Sequence, residues 1–233
     1  MENSIPACLV CGAPLVYREQ AVEMACANCG KRFLSNAACE HGHYICDDCH
    51  GAAGRVAIRL YCARTPSKNP IEIAQAIMAL PSIHMHGPEH HALVGSALLA
   101  AYANSGGAVE LEPALDELER RSRAVPGGIC GLWGCCGAAV SAGMFAALAT
   151  GSTPLAWDAW GLSNRMTAAC LEAIGAVGGP RCCKRDSFLA IRTAAGFCAE
   201  HLGVRMELPG RIRCPHSARN RECLRARCPF FPS

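Results

Sequence analysis

The chain of 233 residues carries 22 Lys and Arg against 19 Asp and Glu, a net charge of +3. Hydrophobic residues make up 51% and aromatic ones 6%, which excludes bulk disorder and points to a core of Ala, Leu, Ile, Val and Gly. The length suits one sizeable core plus an accessory module. Eighteen cysteines and nine histidines are the outstanding feature. Met1 to Pro6 holds no basic segment and runs into Cys8 and Cys11, unlike a secretory leader, so a reducing, cytoplasmic compartment is expected. Thiols there serve as metal, cluster or redox groups before they serve as disulfides.

Residues 1–64 hold eight cysteines and no long apolar run, which predicts a small module of knuckles and short strands held by metal. Cys8-x-x-Cys11 and Cys26-x-x-Cys29, each followed by a glycine (Gly12, Gly30), have the arrangement of a zinc ribbon, with four thiolates around one ion. Zinc is expected, and iron fits the same four ligands. A second constellation is the string Cys39, His41, His43, Cys46, Cys49 and His50. Cys46-x-x-Cys49 is a natural bidentate pair, and Cys39 with one of the three histidines completes a tetrahedral set. Cys62 is left over as a buried apolar thiol.

Residues 65–203 read as helical. Asn69 is placed to cap a helix over 70–80 whose first residue is Pro70, and Pro81 stops it. Further helices are expected over 89–103, with His90 and His91 in an exposed first turn, over 112–123 and over 138–149. Thr153-Pro154 is read as opening another, and Asp186 or Ser187 as capping one that ends before Gly203. The charge-free stretch from Ala124 to Trp157 is rich in Gly and Ala and broken by Gly151 and Pro154, the composition of a buried core helix and not of a membrane span. The loop Ser82-x-His84-x-His86-Gly87-Pro88 precedes a helix N-terminus, a seat for a small anionic substrate. Cys135-Cys136 and Cys182-Cys183 also precede helices, where dipole and cations are expected to lower thiol pKa values.

The helical part resembles the iron-sulfur L-serine dehydratase alpha domain. Ser82, His84, Gly87 and Pro88 match its substrate loop; Gly134 with Cys135, then Cys170, then Cys182 with Arg185 match its three cluster motifs in order. Cys136, Leu171-Glu172, Asp186 and Met85 depart from the family pattern. The resemblance implies a 4Fe-4S cluster on Cys135, Cys170 and Cys182, an open iron acting as Lewis acid, and His84 or His86 as the base of an elimination. It also implies substrate binding by Ser82, His84, Gly87, Pro88 and Arg185. The whole chain, with its HGHYICDDCH string, is also similar to an uncharacterised cysteine-rich family sometimes fused to S-adenosylmethionine-dependent methyltransferases.

Residues 204–233 lose periodicity and read as a basic arm; Arg205 to Arg227 holds seven arginines against Glu207 and Glu222. Cys214, His216, Cys223 and Cys228 on it suit a third metal or cluster site. The expected fold class is therefore mainly α, a serine-dehydratase-alpha-like helical domain between a zinc-ribbon-like module and a cysteine-rich arm. The expected function is an iron-sulfur lyase of the dehydratase or desulfidase type acting on a small amino-acid-like or thiol substrate. The alternative is a non-catalytic zinc, iron-sulfur or redox-responsive module that docks a partner protein such as a methyltransferase. An oligomer is compatible with either, whereas few aromatics and a near-neutral charge disfavour nucleic acid.

Overall fold

A computed structural model describes residues 8–232; Met1 to Pro6, on which the reading of the leader rests, lie outside them. The described residues form two strands and eight helices. Strands β1 (Leu15–Ala25) and β2 (Arg32–Cys39) pair antiparallel from Leu15 opposite Cys39 to Ala25 opposite Arg32, with an irregularity between Tyr17 and Val22. Almost every β1 side chain is exposed, so the hairpin has no core of its own and is fixed through its ends.

Where knuckles and short strands are expected, a 16-residue helix follows the hairpin, α1 (Asp47–Cys62). Asp47 and Asp48 in its first turn complement the helix dipole, while Gly51, Gly54 and Ile58 make a buried face. The clustered cysteines and histidines at its start hide that periodicity in the sequence. Helix α2 (Pro70–Met78) begins as expected: Asn69 Oδ1 accepts from the N–H groups of Ile71 (3.0 Å) and Glu72 (3.3 Å). Then come α3 (His90–Asn104), α4 (Leu111–Ser122), the single turn α5 (Ile129–Leu132), α6 (Gly137–Ala149), α7 (Asp158–Val177) and α8 (Cys183–His201).

Helix α3 is the axis of the core. It is buried on every side from Ala92 to Tyr102 and packs against α1, α2, α4, α6 and α8. Such crowding needs small residues. Gly95 donates its N–H to Ser141 Oγ of α6 at 2.9 Å, and a Cβ at Gly95 would lie 2.8 Å from the Ser141 carbonyl oxygen. On its other side α6 meets α7 through Gly143, where a Cβ would run into Thr167 Oγ1. The charge-free stretch thus supplies α5 and α6, and no helix of the described residues is long and apolar enough to cross a membrane.

Four local expectations are corrected. Helix α7 starts at Asp158, not at Thr153-Pro154; residues 153–157 are a turn that leaves Leu155 and Trp157 exposed. Helix α8 is capped by Cys182, whose sulfur accepts from Arg185 N at 3.4 Å, because Asp186 lies inside the first turn and pairs with Arg185. His90 is buried and His91 half-buried, with Nδ1 atoms on the carbonyls of Gly87 (3.1 Å) and Val125 (3.2 Å), because the flanking loops cover the start of α3. The C-terminal segment holds only two short 3-10 turns, yet it is no solvated arm. Met206, Ile212 and Phe230 join the helical core, and Glu207 N and Gln75 Nε2 donate across to Lys68 O and Arg213 O, each at 3.0 Å.

The α3–α6 contact sets a test of the fold. Replacing Gly95→Val should destabilise the protein by about 1–3 kcal/mol through overpacking against the α6 backbone, read as a lowered midpoint in urea unfolding with an unchanged slope.

Candidate metal centres

The hairpin register decides how the N-terminal cysteines combine. The Cys8–Cys11 knuckle leads into β1 and the Cys26–Cys29 knuckle follows it, so a strand of 11 residues separates them, roughly 30 Å end to end if straight. They do not share an ion site, which corrects the ribbon pairing. Pairing of Leu15 with Cys39 instead brings the end of β2 beside the first knuckle, and Cys8, Cys11, Cys39 and His43 form one group with ligand atoms within 4.8 Å of one another. The second knuckle meets the start of α1 in a second group, Cys26, Cys29, Cys46 and Cys49. The two quartets are therefore interleaved along the chain.

Both fit a tetrahedral ion. Cys11 and Cys39 Sγ stand 3.9 Å apart, as do Cys29 and Cys46 Sγ. Four thiolates bound about 2.3 Å from one zinc stand about 3.8 Å apart. His43 Nδ1 lies 3.3 Å from Cys11 Sγ and 3.5 Å from Cys39 Sγ, which settles which histidine completes the set. His41 Nδ1 reaches Cys11 Sγ at 3.5 Å from outside the quartet. Burial opposes ionisation of Cys26, but the N–H groups of Cys46, Cys29 and Asn28 outweigh it and bring the thiol down to about 6. Each quartet can hold an ion such as zinc.

His50 belongs to neither. From the first turn of α1 it joins His84 and Glu89 in a third group of close ligand atoms. Glu89 is fully buried. Its Oε1 accepts from His84 N (2.9 Å) and lies 3.3 Å from His84 Nδ1; its Oε2 lies 3.6 Å from His50 Nδ1. Burial alone would raise this carboxyl, but the surrounding imidazoles of His50, His84 and His90 hold it well below the ordinary carboxylate range, so it is ionised. Glycines make the room: a Cβ at Gly87 would strike the carboxylate, and one at Gly54 would lie 2.9 Å from Ser82 O and 3.1 Å from the Glu89 stem.

In the Ser82–Pro88 loop, where an anion seat is expected, the chain's own Glu89 takes the N–H of His84. Sequence reasoning passed over Glu89, although an acid directly after Gly-Pro and between histidine pairs was a usable signal. His86 Nε2 meets Asn220 Oδ1 (3.3 Å) and Glu222 Oε2 (3.1 Å), and burial lowers its pKa. Arg185 is buried and occupied by Asp186 (2.9 Å) and the Pro180 carbonyl (3.0 Å). Pro88 O accepts from His91 N at 3.0 Å.

Of the three cysteines matched to the dehydratase cluster, Cys182 alone lines the pocket at the C-terminal segment. Cys170 lies in the helical core with its thiol on the Ala190 carbonyl (3.5 Å), near the thiols of Cys136 and Cys198. Cys135 N donates to Ile129 O at 3.4 Å in the turn after α5. Cys182 faces the other way, into a pocket shared with Cys214, Cys223 and Cys228. The expected lowering of thiol pKa at these helix starts is also reversed: burial pushes Cys182 up to about 11, Cys136 up to about 12, and Cys183 higher still. Desolvation outweighs the dipole there.

The profile described as Family of unknown function (DUF5714) matches residues 58–231, well over half of the chain. The chain belongs to this family. The DUF5714 region takes in His84, Glu89 and all four cysteines of the pocket, whereas both N-terminal quartets and His50 precede it. Comparisons with curated proteins and with solved structures give no match.

The interleaved pairing makes a prediction that the ribbon pairing reverses. With zinc measured per chain, Cys8→Ser and Cys39→Ser should each remove one equivalent and together still only one, whereas Cys8→Ser with Cys26→Ser should remove two.

Proposed function

We propose that the chain is a metal-dependent enzyme whose working ion lies between His50, His84 and Glu89, with the two N-terminal quartets as structural sites that hold His50 in place. One observation carries this reading. Glu89 Oε2 and His50 Nδ1 are both buried, 3.6 Å apart, and both lack a hydrogen-bond partner. The 3.6 Å gap is too long for a hydrogen bond, yet it lets both atoms reach one cation placed between them. Two imidazoles and a carboxylate leave coordination positions open, unlike the closed thiolate quartets.

When bound, such an ion would supply Lewis acidity toward a hydroxyl or thiol leaving group. Glu89 balances its charge and fixes the loop through His84 N. Lys184 Nζ donates to His84 O at 2.8 Å, and burial lowers this ammonium to about 8, placing a proton-exchanging group beside the centre. The similarity of Ser82, His84, Gly87 and Pro88 to the dehydratase substrate loop supports a lyase acting on a small amino-acid-like or thiol substrate.

Metal analysis should find one non-quartet equivalent that disappears in Glu89→Gln and His50→Ala while quartet zinc stays. The loaded protein should release ammonia from L-serine or sulfide from L-cysteine, and Glu89→Gln should lower that rate by at least about 100-fold. No metal difference between wild type and Glu89→Gln would overturn the site; metal without turnover would overturn the lyase assignment alone.

A second reading, a module that docks a partner protein, is favoured by the turn before α7. Leu155 and Trp157 are 90% and 92% exposed, with Trp160 half-exposed behind them. Under that reading, Leu155→Ser with Trp157→Ser should abolish partner capture or self-association in sedimentation without changing metal content.

A further inference from the structure

The C-terminal segment and the start of α8 enclose a pocket lined by Cys182, Cys214, Cys223 and Cys228. The thiols interact electrostatically, Cys182 with Cys214 and Cys214 with both others. Yet none of them belongs to the groups of described residues whose ligand atoms lie within 4.8 Å of one another. The N-terminal quartets show what single-ion spacing looks like, with sulfurs 3.9 Å apart. Four cysteines around one pocket but spread wider suit a ligand with several metal atoms, each taking one thiolate.

The walls tell the charge of that ligand. His216 lines the same pocket and is buried, and Arg219 donates to its Nδ1 at 3.0 Å. A guanidinium only donates, so Nδ1 is the lone-pair nitrogen and the proton sits on Nε2. Nε2 is buried with no acceptor among the protein atoms. A protonated nitrogen does not ligate a metal; it takes an acceptor, a role that the inorganic sulfide of a cluster fills and a lone zinc ion does not. Further donors already point at the thiols. Asn220 Nδ2 lies 3.3 Å from Cys182 Sγ, its amide oriented by Glu222 N on Oδ1 (3.1 Å), and Arg225 N lies 3.4 Å from Cys223 Sγ. Lys184 adds a buried amine, and Phe230 and Leu224 line the pocket with apolar surface. Arg225, the one non-glycine residue with positive φ among those described (53°), bends the chain between Cys223 and Cys228.

We propose that Cys182, Cys214, Cys223 and Cys228 bind a four-iron, four-sulfide cluster in this pocket, with every iron held by a protein thiolate. The assignment is independent of the centre at Glu89 and replaces the three-cysteine set with an open iron. A cluster closed by four thiolates offers no coordination site to a substrate; it stabilises the fold or carries an electron.

The test is anaerobic purification followed by reconstitution with ferrous iron and sulfide. The wild type should hold about four irons and four acid-labile sulfides per chain. Both should fall by more than about 80% in Cys223→Ser and in Cys228→Ser and stay in Cys135→Ser and Cys170→Ser. Retained quartet zinc and an unchanged circular dichroism spectrum show that these variants fold. Should the serine variants fail to fold, the electron paramagnetic resonance spectrum of the dithionite-reduced wild type decides: excess L-serine leaves it unchanged if four thiolates close the cluster and shifts it if one iron is open. Iron and sulfide retained without Cys223 and Cys228, loss in the Cys170 variant alone, zinc without sulfide, or a serine-induced shift would each overturn the proposal.

Discussion

A carboxylate with no exposed surface and a low pKa needs positive or hydrogen-bonding partners on every side, and Glu89 imposes that demand at the point where three parts of the chain meet. The first turns of α1 supply His50 and the gaps at Gly51 and Gly54; the 82–88 loop supplies the His84 N–H and the bare backbone of Gly87; α3 supplies Glu89 itself. None of the three can be moved without exposing an unbalanced charge. The exposed hairpin, which buries too little to place itself, is thereby referred to the helical core through α1.

The same economy explains the division between cysteine uses. Thiols at the hairpin ends stand at single-ion spacing, and backbone N–H groups bring Cys26 among them down to about 6. Those inside the helical domain, Cys62, Cys170 and Cys198, are packed among aliphatic side chains, where burial pushes the thiol up and leaves it a small apolar residue. Cys182 stands between the two regimes: it is buried, yet turned toward the C-terminal segment and met there by the Asn220 amide.

Much of the helical architecture was legible in local chemistry. Asn69-Pro70 wrote the start of α2, Gly203 the end of α8, and the Gly/Ala run of α6 its close packing, because caps, terminators and small residues act over a few neighbours. The metal ligands were legible as a set but not as pairs. Which knuckle meets which depends on the strand register, a relation between residues as far apart as Leu15 and Cys39 that spacing within a knuckle does not encode. Likewise the loop match at Ser82, His84, Gly87 and Pro88 does not foretell that the chain's own Glu89 takes the N–H of His84. The dehydratase motifs group Cys182 with Cys135 and Cys170, whereas the fold turns it toward residues more than thirty positions onward.

Cys49 and His50 are consecutive residues at the start of α1, one in a thiolate quartet and the other facing Glu89. Successive side chains on a helix diverge by about 100°. A single turn therefore carries members of two groups of opposite character, one sulfur-rich, the other built from nitrogen and oxygen, so a displacement of that turn changes the spacing of both at once.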